Sequence, residues 1–183
     1  RVELGLLPHE LAIVTVANFR AQKDYPNLLQ AAALLRDRGV PFRLIAVGQG
    51  PLADDITKLR DGLALQDHVT LTGFRADGAA VVGACDVFVL ASAWEGLPVA
   101  IMEAIALGLP IVATAVGGVA EALRNGETAL LVPPRDARAL ADALQRVLTD
   151  DALRARLAAA SRAHASDFDV RSSARLQLDT YRA

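Results

Sequence analysis

The sequence predicts an α/β domain, a doubly wound parallel sheet of about six strands followed by a helical C-terminal tail. Three observations carry this expectation. Short, nearly uninterrupted apolar runs recur along the chain, as strands buried on both faces of a sheet require. Longer stretches with apolar residues at helical spacing lie between them, the alternation that builds parallel sheets. After Pro133-Pro134 the alternation stops and only helical patterns remain.

Taken in order, the first strand is expected at residues 11–17, where Thr15 is the polar member of LAIVTVA. A helix over 25–38 follows, with Leu28, Leu29, Ala32, Ala33 and Leu35 on its apolar side and a Gly39-Val40-Pro41 stop. The second strand, 42–47, leads through Gly48-Gln49-Gly50 into a helix over about 52–62. The third strand, 69–71, precedes a helix after Asp77. The fourth, 87–90, precedes a helix that starts after Gly96 and places Pro98 in its first turn, where a missing N–H costs nothing. Strands at 111–113 and 129–132 complete the sheet. Helices over 136–149 and 152–165 form the tail, with a last one at about 170–181 whose apolar stripe is interrupted by Arg and Ser. Ligands of such sheets bind at the carboxyl ends of the strands, so the loops opening near Asn18, Gly48, Gly73, Ser92 and Thr114 are expected to line a site.

With 183 residues, 53% of them hydrophobic, 22% charged and 4% aromatic, the chain reads as one globular domain with an aliphatic core. Its 19 basic and 21 acidic residues are dispersed, so no broad basic field for nucleic acid or an anionic membrane is expected. Asp86, Glu95, Glu103 or prolines interrupt each apolar stretch before the roughly 20 residues needed to cross a bilayer. The N-terminus carries no signal-peptide pattern, and RVELGLLPHE runs straight into a strand as though a further segment preceded it. Cys85 lies in an apolar run and reads as a buried structural thiol, which suits a cytoplasmic setting. His9, His68 and His164 are isolated, so no metal is expected. Ser92 stands in ASA rather than in a nucleophile elbow, which argues against a hydrolase.

Chemistry concentrates in SAWEGLPVAIMEAIALGLPIVAT. A helix that opens at Gly96-Leu97 would place Glu103 about 9 Å along its axis, leaving room for a diphosphate between Glu103 and Glu95. The free N–H groups of the first turn would face the phosphates, and the carboxylates would accept hydrogen bonds from sugar hydroxyls at one end and a ribose diol at the other. The plainer reading, two acids without a ligand, suits a single Glu. It suits Glu103 less well, because Ile101, Met102, Ala104, Ile105 and Ala106 are apolar and an acid among them needs partners.

Glu95 and Glu103, with seven residues between them, resemble the E-x7-E motif of retaining glycosyltransferases with the GT-B fold, the glycosyl transferases group 1. VANFRAQKDYPNLLQAAALL, LIAVGQGP, HVTLTGF and CDVFVLAS extend the resemblance over nearly the whole chain. It implies a Rossmann-like domain, the C-terminal donor-binding half of a two-domain enzyme, that binds a nucleotide-diphosphate sugar such as a UDP-sugar without a metal or other cofactor. It implies further that the acceptor site lies on an N-terminal domain, so that residues 1–183 alone bind donor and do not turn over. Glu95 then contacts the donor sugar, Glu103 the ribose and Lys23 the phosphates. The usual partner of that Lys is an Arg five residues earlier, where this chain has Asn18, and Arg20 is the neighbouring cation that could replace it. Gly48, Gly50, Gly73, Phe74 and Arg75 are placed beside the nucleotide. Gly117 and Gly118 read equally as a loop that approaches the donor or as a helix-entry turn. Asp167-Phe168-Asp169 matches the D-x-D of metal-dependent glycosyltransferases of another fold, but a turn and a helix cap explain it more simply. The alternatives are a nucleotide-sugar epimerase and a non-catalytic interaction module of the same fold.

Overall fold

The computed structural model describes residues 1–165. The expected helix at 170–181 and Asp167-Phe168-Asp169 lie outside the described residues. Six strands, β1 (Ala12–Val16), β2 (Arg43–Val47), β3 (Val69–Gly73), β4 (Val87–Leu90), β5 (Ile111–Thr114) and β6 (Ala129–Val132), form one sheet in the order β3-β2-β1-β4-β5-β6. Every pairing is parallel. Between and after the strands lie α1 (Tyr25–Asp37), α2 (Ala53–Gly62), α3 (Gly78–Gly83), α4 (Val99–Ala106), α5 (Gly117–Ala122), α6 (Ala137–Thr149) and α7 (Asp151–His164). The sheet therefore reverses direction between β1 and β4.

The strands are apolar throughout because both faces are covered. Ile13, Val14, Leu44, Ile45, Phe88, Val89, Ile111 and Val112 are at most 1% exposed. Right-handed crossovers that run one way from β1 to β2 and the other way from β4 to β5 put α1 and α4 on opposite faces. Accordingly α1 packs against α2 and α6, while α4 packs against α3 and α7. Helices α1, α6 and α7 begin at side-chain caps: Asp24, Asp136 and Asp150 accept the backbone N–H groups of Asn27, Ala139 and Leu153. Gly39, at φ +69°, follows α1 in the left-handed conformation that an L side chain resists.

The expected strands all occur, and two local expectations are corrected. Helix α4 begins at Val99, and Pro98 is its N-cap in extended backbone (φ −73°, ψ 131°) rather than a first-turn residue. A residue before proline is pushed out of the helical region, so Leu97 could not have opened the helix. Between β5 and β6 the chain forms the short helix α5, so Gly117 and Gly118 make the helix-entry turn that was one of their two readings. Strand β3 runs on to Gly73 rather than ending at residue 71. Cys85 is buried as expected, and burial pushes its thiol pKa up to about 12.

Candidate functional site

Beside the point where the strand order reverses, a cavity of about 330 Å³ opens at the carboxyl end of the sheet. Its floor is the ends of β1 and β2, at Val16, Ala17, Val47 and Gly48. One wall carries Asn18 and Lys23, another Glu95 and the first turns of α4 from Pro98 to Glu103, and a third Phe74 and Arg75.

Glu95 is the most constrained group here. Its side chain is only 5% exposed and forms an ion pair with Lys23, itself 15% exposed. Gln22 Nε2 donates to Oε2 at 3.0 Å and Ser92 Oγ donates to Oε1 at 2.7 Å. A buried carboxylate needs such partners, since losing its hydration uncompensated costs more than most folds can carry. The backbone beneath it is fixed as well. Thr114 Oγ1, fully buried, donates to the Ser92 carbonyl at 2.6 Å, and Ala93 N donates to the Gln22 carbonyl at 2.9 Å.

Glu103 is the opposite case. It stands four residues into α4, roughly 6 Å along the axis rather than 9 Å, because the helix starts later than expected. It is half-buried at the cavity wall, while Ile101, Ala104 and Ile105 take the core side. Among the described residues its carboxylate has no hydrogen bond or ion pair, so it presents an unpartnered acceptor to the cavity. The two acids therefore share one site, one held by three protein donors and one with none.

Other expected residues fall in different places. Arg20 does not line this cavity; it borders a separate hollow of about 270 Å³ with Tyr25, Leu52, Ile56 and Leu59. Arg20 is in extended backbone (φ −130°, ψ 157°) just before the 3-10 turn Ala21–Lys23, so its side chain leaves the chain in another direction from that of Lys23. Gly48 lines the cavity, and a Cβ there would run into the Ala17 carbonyl. Gly50 instead packs on the Phe19 backbone, and Gly73, at φ +73°, ends β3 and accepts the N–H of Gly48. Neither borders the cavity, nor do Gly96 and Leu97, which lie exposed before α4. Arg75 lines it with its guanidinium bound to Asp77 at 2.8 and 2.5 Å. Gly117, at φ +45°, and Gly118 open α5, and they also sit where a Cβ would strike the carbonyls of Glu95 and Gly96. The close approach is thus to the Glu95 loop. Gln22 and Ser92 were missed as partners of Glu95, although the sequence places them beside Lys23 and three residues before Glu95. No group of three or more His, Cys, Asp or Glu capable of holding a metal occurs among the described residues.

The family model for glycosyl transferases group 1 matches residues 1–164. The chain belongs to this family. Among curated members it is 34% identical over 148 residues to alpha-D-kanosaminyltransferase of Streptomyces kanamyceticus, covering 80% of this chain and 38% of that protein. It is 34% identical over 192 aligned positions to D-inositol 3-phosphate glycosyltransferase of Rhodococcus erythropolis, covering all of this chain and 43% of the relative. Among solved structures, Anabaena HepE in complex with UDP and glucose superposes with a TM-score of 0.90 at 26% identity, over 100% of this chain and 50% of HepE. The chain thus spans half or less of the length of these relatives. Among the described residues no helix is long and apolar enough to cross a membrane.

Proposed function

We propose that this chain is the donor-binding half of a retaining glycosyltransferase and that it holds a nucleoside-diphosphate sugar, with uridine as the base. The observation that carries the reading is the convergence of Lys23, Glu95 and Glu103 on one cavity at the strand-reversal point. The Lys23 ammonium and the N-terminal turn of α4 supply a positive field for a diphosphate without a metal ion. Glu103, with both oxygens free, accepts the ribose diol, and Glu95 faces the sugar. As the bond between the sugar carbon and the phosphate oxygen breaks, its electron pair passes to the diphosphate, where Lys23 offsets the growing charge. The acceptor hydroxyl bonds to the same sugar carbon on the face the diphosphate leaves and passes its proton to the departing phosphate oxygen.

The similarity to HepE, whose solved complex contains UDP and glucose, supports uridine and a hexose as first choices. Phe74, Trp94, Leu97 and Val99 are exposed apolar side chains on the loops and the start of α4 at the carboxyl end of the sheet, which suits closure by an N-terminal acceptor domain. On that reading the chain alone binds donor and does not turn over. The buried Cys85 thiol suits a reducing, cytoplasmic setting. Calorimetric titration with UDP, GDP, ADP and UDP-glucose, with and without EDTA, tests the proposal. UDP is expected to bind most tightly, with EDTA changing nothing. Loss of binding on chelation overturns the metal-free assignment; no affinity for any of the diphosphates overturns donor binding and leaves an interaction module.

A further inference from the structure

Lys23 faces two claims. In this structure its ammonium is paired with Glu95, yet the proposed function needs the same ammonium on a donor diphosphate. An ammonium has three N–H donors, so it can turn toward phosphate, but each donor it moves is withdrawn from a carboxylate only 5% exposed. Glu95 must then be held by something that stays.

The geometry points to Gln22 and Ser92 as the positioning residues that keep Glu95 in place when Lys23 engages the donor, an inference that rests on the donor-binding reading. Gln22 occupies Oε2 and Ser92 occupies Oε1, so both oxygens retain a donor and the plane of the carboxylate is set without Lys23. Both donors are neutral. They fix the carboxylate without adding a charge that would compete for the diphosphate or cancel the negative charge that meets the sugar. Each is also built into the frame beneath it: the Gln22 carbonyl accepts from Ala93 N, and the Ser92 carbonyl accepts from Thr114 Oγ1. The loop after β4 is therefore tied to the loop after β1 on one side and to the end of β5 on the other. A Glu held in this way selects for the sugar end of the donor, so the two residues tune sugar recognition and not nucleotide recognition.

The test is calorimetric titration of UDP and UDP-glucose against the unmodified chain and against Gln22→Met, Ser92→Ala, Glu95→Ala and the Gln22→Met/Glu95→Ala double variant, with folding followed by circular dichroism. Gln22→Met and Ser92→Ala are expected to weaken UDP-glucose about three- to tenfold while UDP stays within about twofold. In the Glu95→Ala background, Gln22→Met is expected to add nothing, because the group it positions is gone. Equal losses for the two ligands, or an undiminished loss in the double variant, overturn the inference and leave Gln22 and Ser92 as general supports of the fold. Failure of the unmodified chain to bind either ligand overturns the donor-binding reading itself, and the inference with it.

Discussion

Replacing Lys23 by alanine tests the electrostatics of the site directly. In the free chain the substitution removes a cation from a pair whose side chains are 15% and 5% exposed. A fully exposed pair would be worth about 0–1 kcal/mol, and truncating one partner of a buried pair costs about 3–5 kcal/mol. Gln22 and Ser92 still hold the carboxylate, so the loss of stability should fall low between these limits, at about 1–2 kcal/mol. On the proposed reading the same residue is a charge-assisted donor toward UDP, worth about 1.5–3 kcal/mol. Because binding makes it share with Glu95, the lower figure applies, and about 1.5 kcal/mol corresponds to roughly a tenfold loss of affinity. The assay is UDP titration at two salt concentrations beside a urea unfolding curve. Lys23→Ala should lose affinity at both salts and show a shallower salt dependence. Arg20→Ala, which alters a separate hollow, should bind within about twofold of the unmodified chain, and Asn18→Arg, on the cavity wall, should bind more tightly. Unchanged UDP affinity in Lys23→Ala would place the phosphate site elsewhere and refute this account of the cavity.

Further consequences follow from the same geometry. Glu103→Ala should weaken UDP and UDP-glucose alike, whereas Glu95→Ala should weaken only the sugar-bearing ligand; equal losses in both variants would show that the two ends are wrongly assigned. Gly117→Ala places a Cβ against the Glu95 carbonyl at φ +45°, so it should destabilise the fold by about 1–3 kcal/mol in urea and loosen UDP-glucose binding; a neutral effect on both would mean that the two loops are not in contact. The folded Cys85 thiol holds its proton to about pH 12 against an ordinary value of 9.0, and burial also raises the Tyr25 hydroxyl, so the unfolded chain releases protons first and stability should fall from about pH 9 to about 12. Unfolding midpoints across that window should decline less in Cys85→Ala, and an equal decline would assign the effect to other groups.

The sheet was legible because its signal is local. Residues 87–90 and 129–132 are strands in sequence and structure alike, each a short apolar run between turn residues, and burial on both faces leaves such a run no other conformation. The start of α4 was half legible: Leu97 stands before Pro98, and that steric rule alone excludes a helix from Leu97, although only the extended ψ of Pro98 moves the start to Val99. Helix α5 was legible only as one of two readings of Gly117-Gly118, since six residues beginning Gly-Gly carry less than two turns of pattern.

Side-chain direction within a loop is set by tertiary contacts, and there spacing along the chain misleads. Arg20 and Lys23 are three residues apart and carry the same charge, but the Phe19 N–H is held by the Gln49 carbonyl and the Phe19 ring is buried beside Tyr25, which turns Arg20 toward α2 before the chain bends back to present Lys23. The two glutamates make the same point. Two of the three donors to Glu95 lie 72 and 73 residues away, and no window of sequence around it contains them. Glu103 looks from its apolar neighbours like the acid in need of partners, yet it is the one left open, because it sits where the core face of α4 gives way to the cavity wall. A motif of two acids therefore points to one cavity, while the fold decides which acid the protein supplies with donors and which it leaves without any.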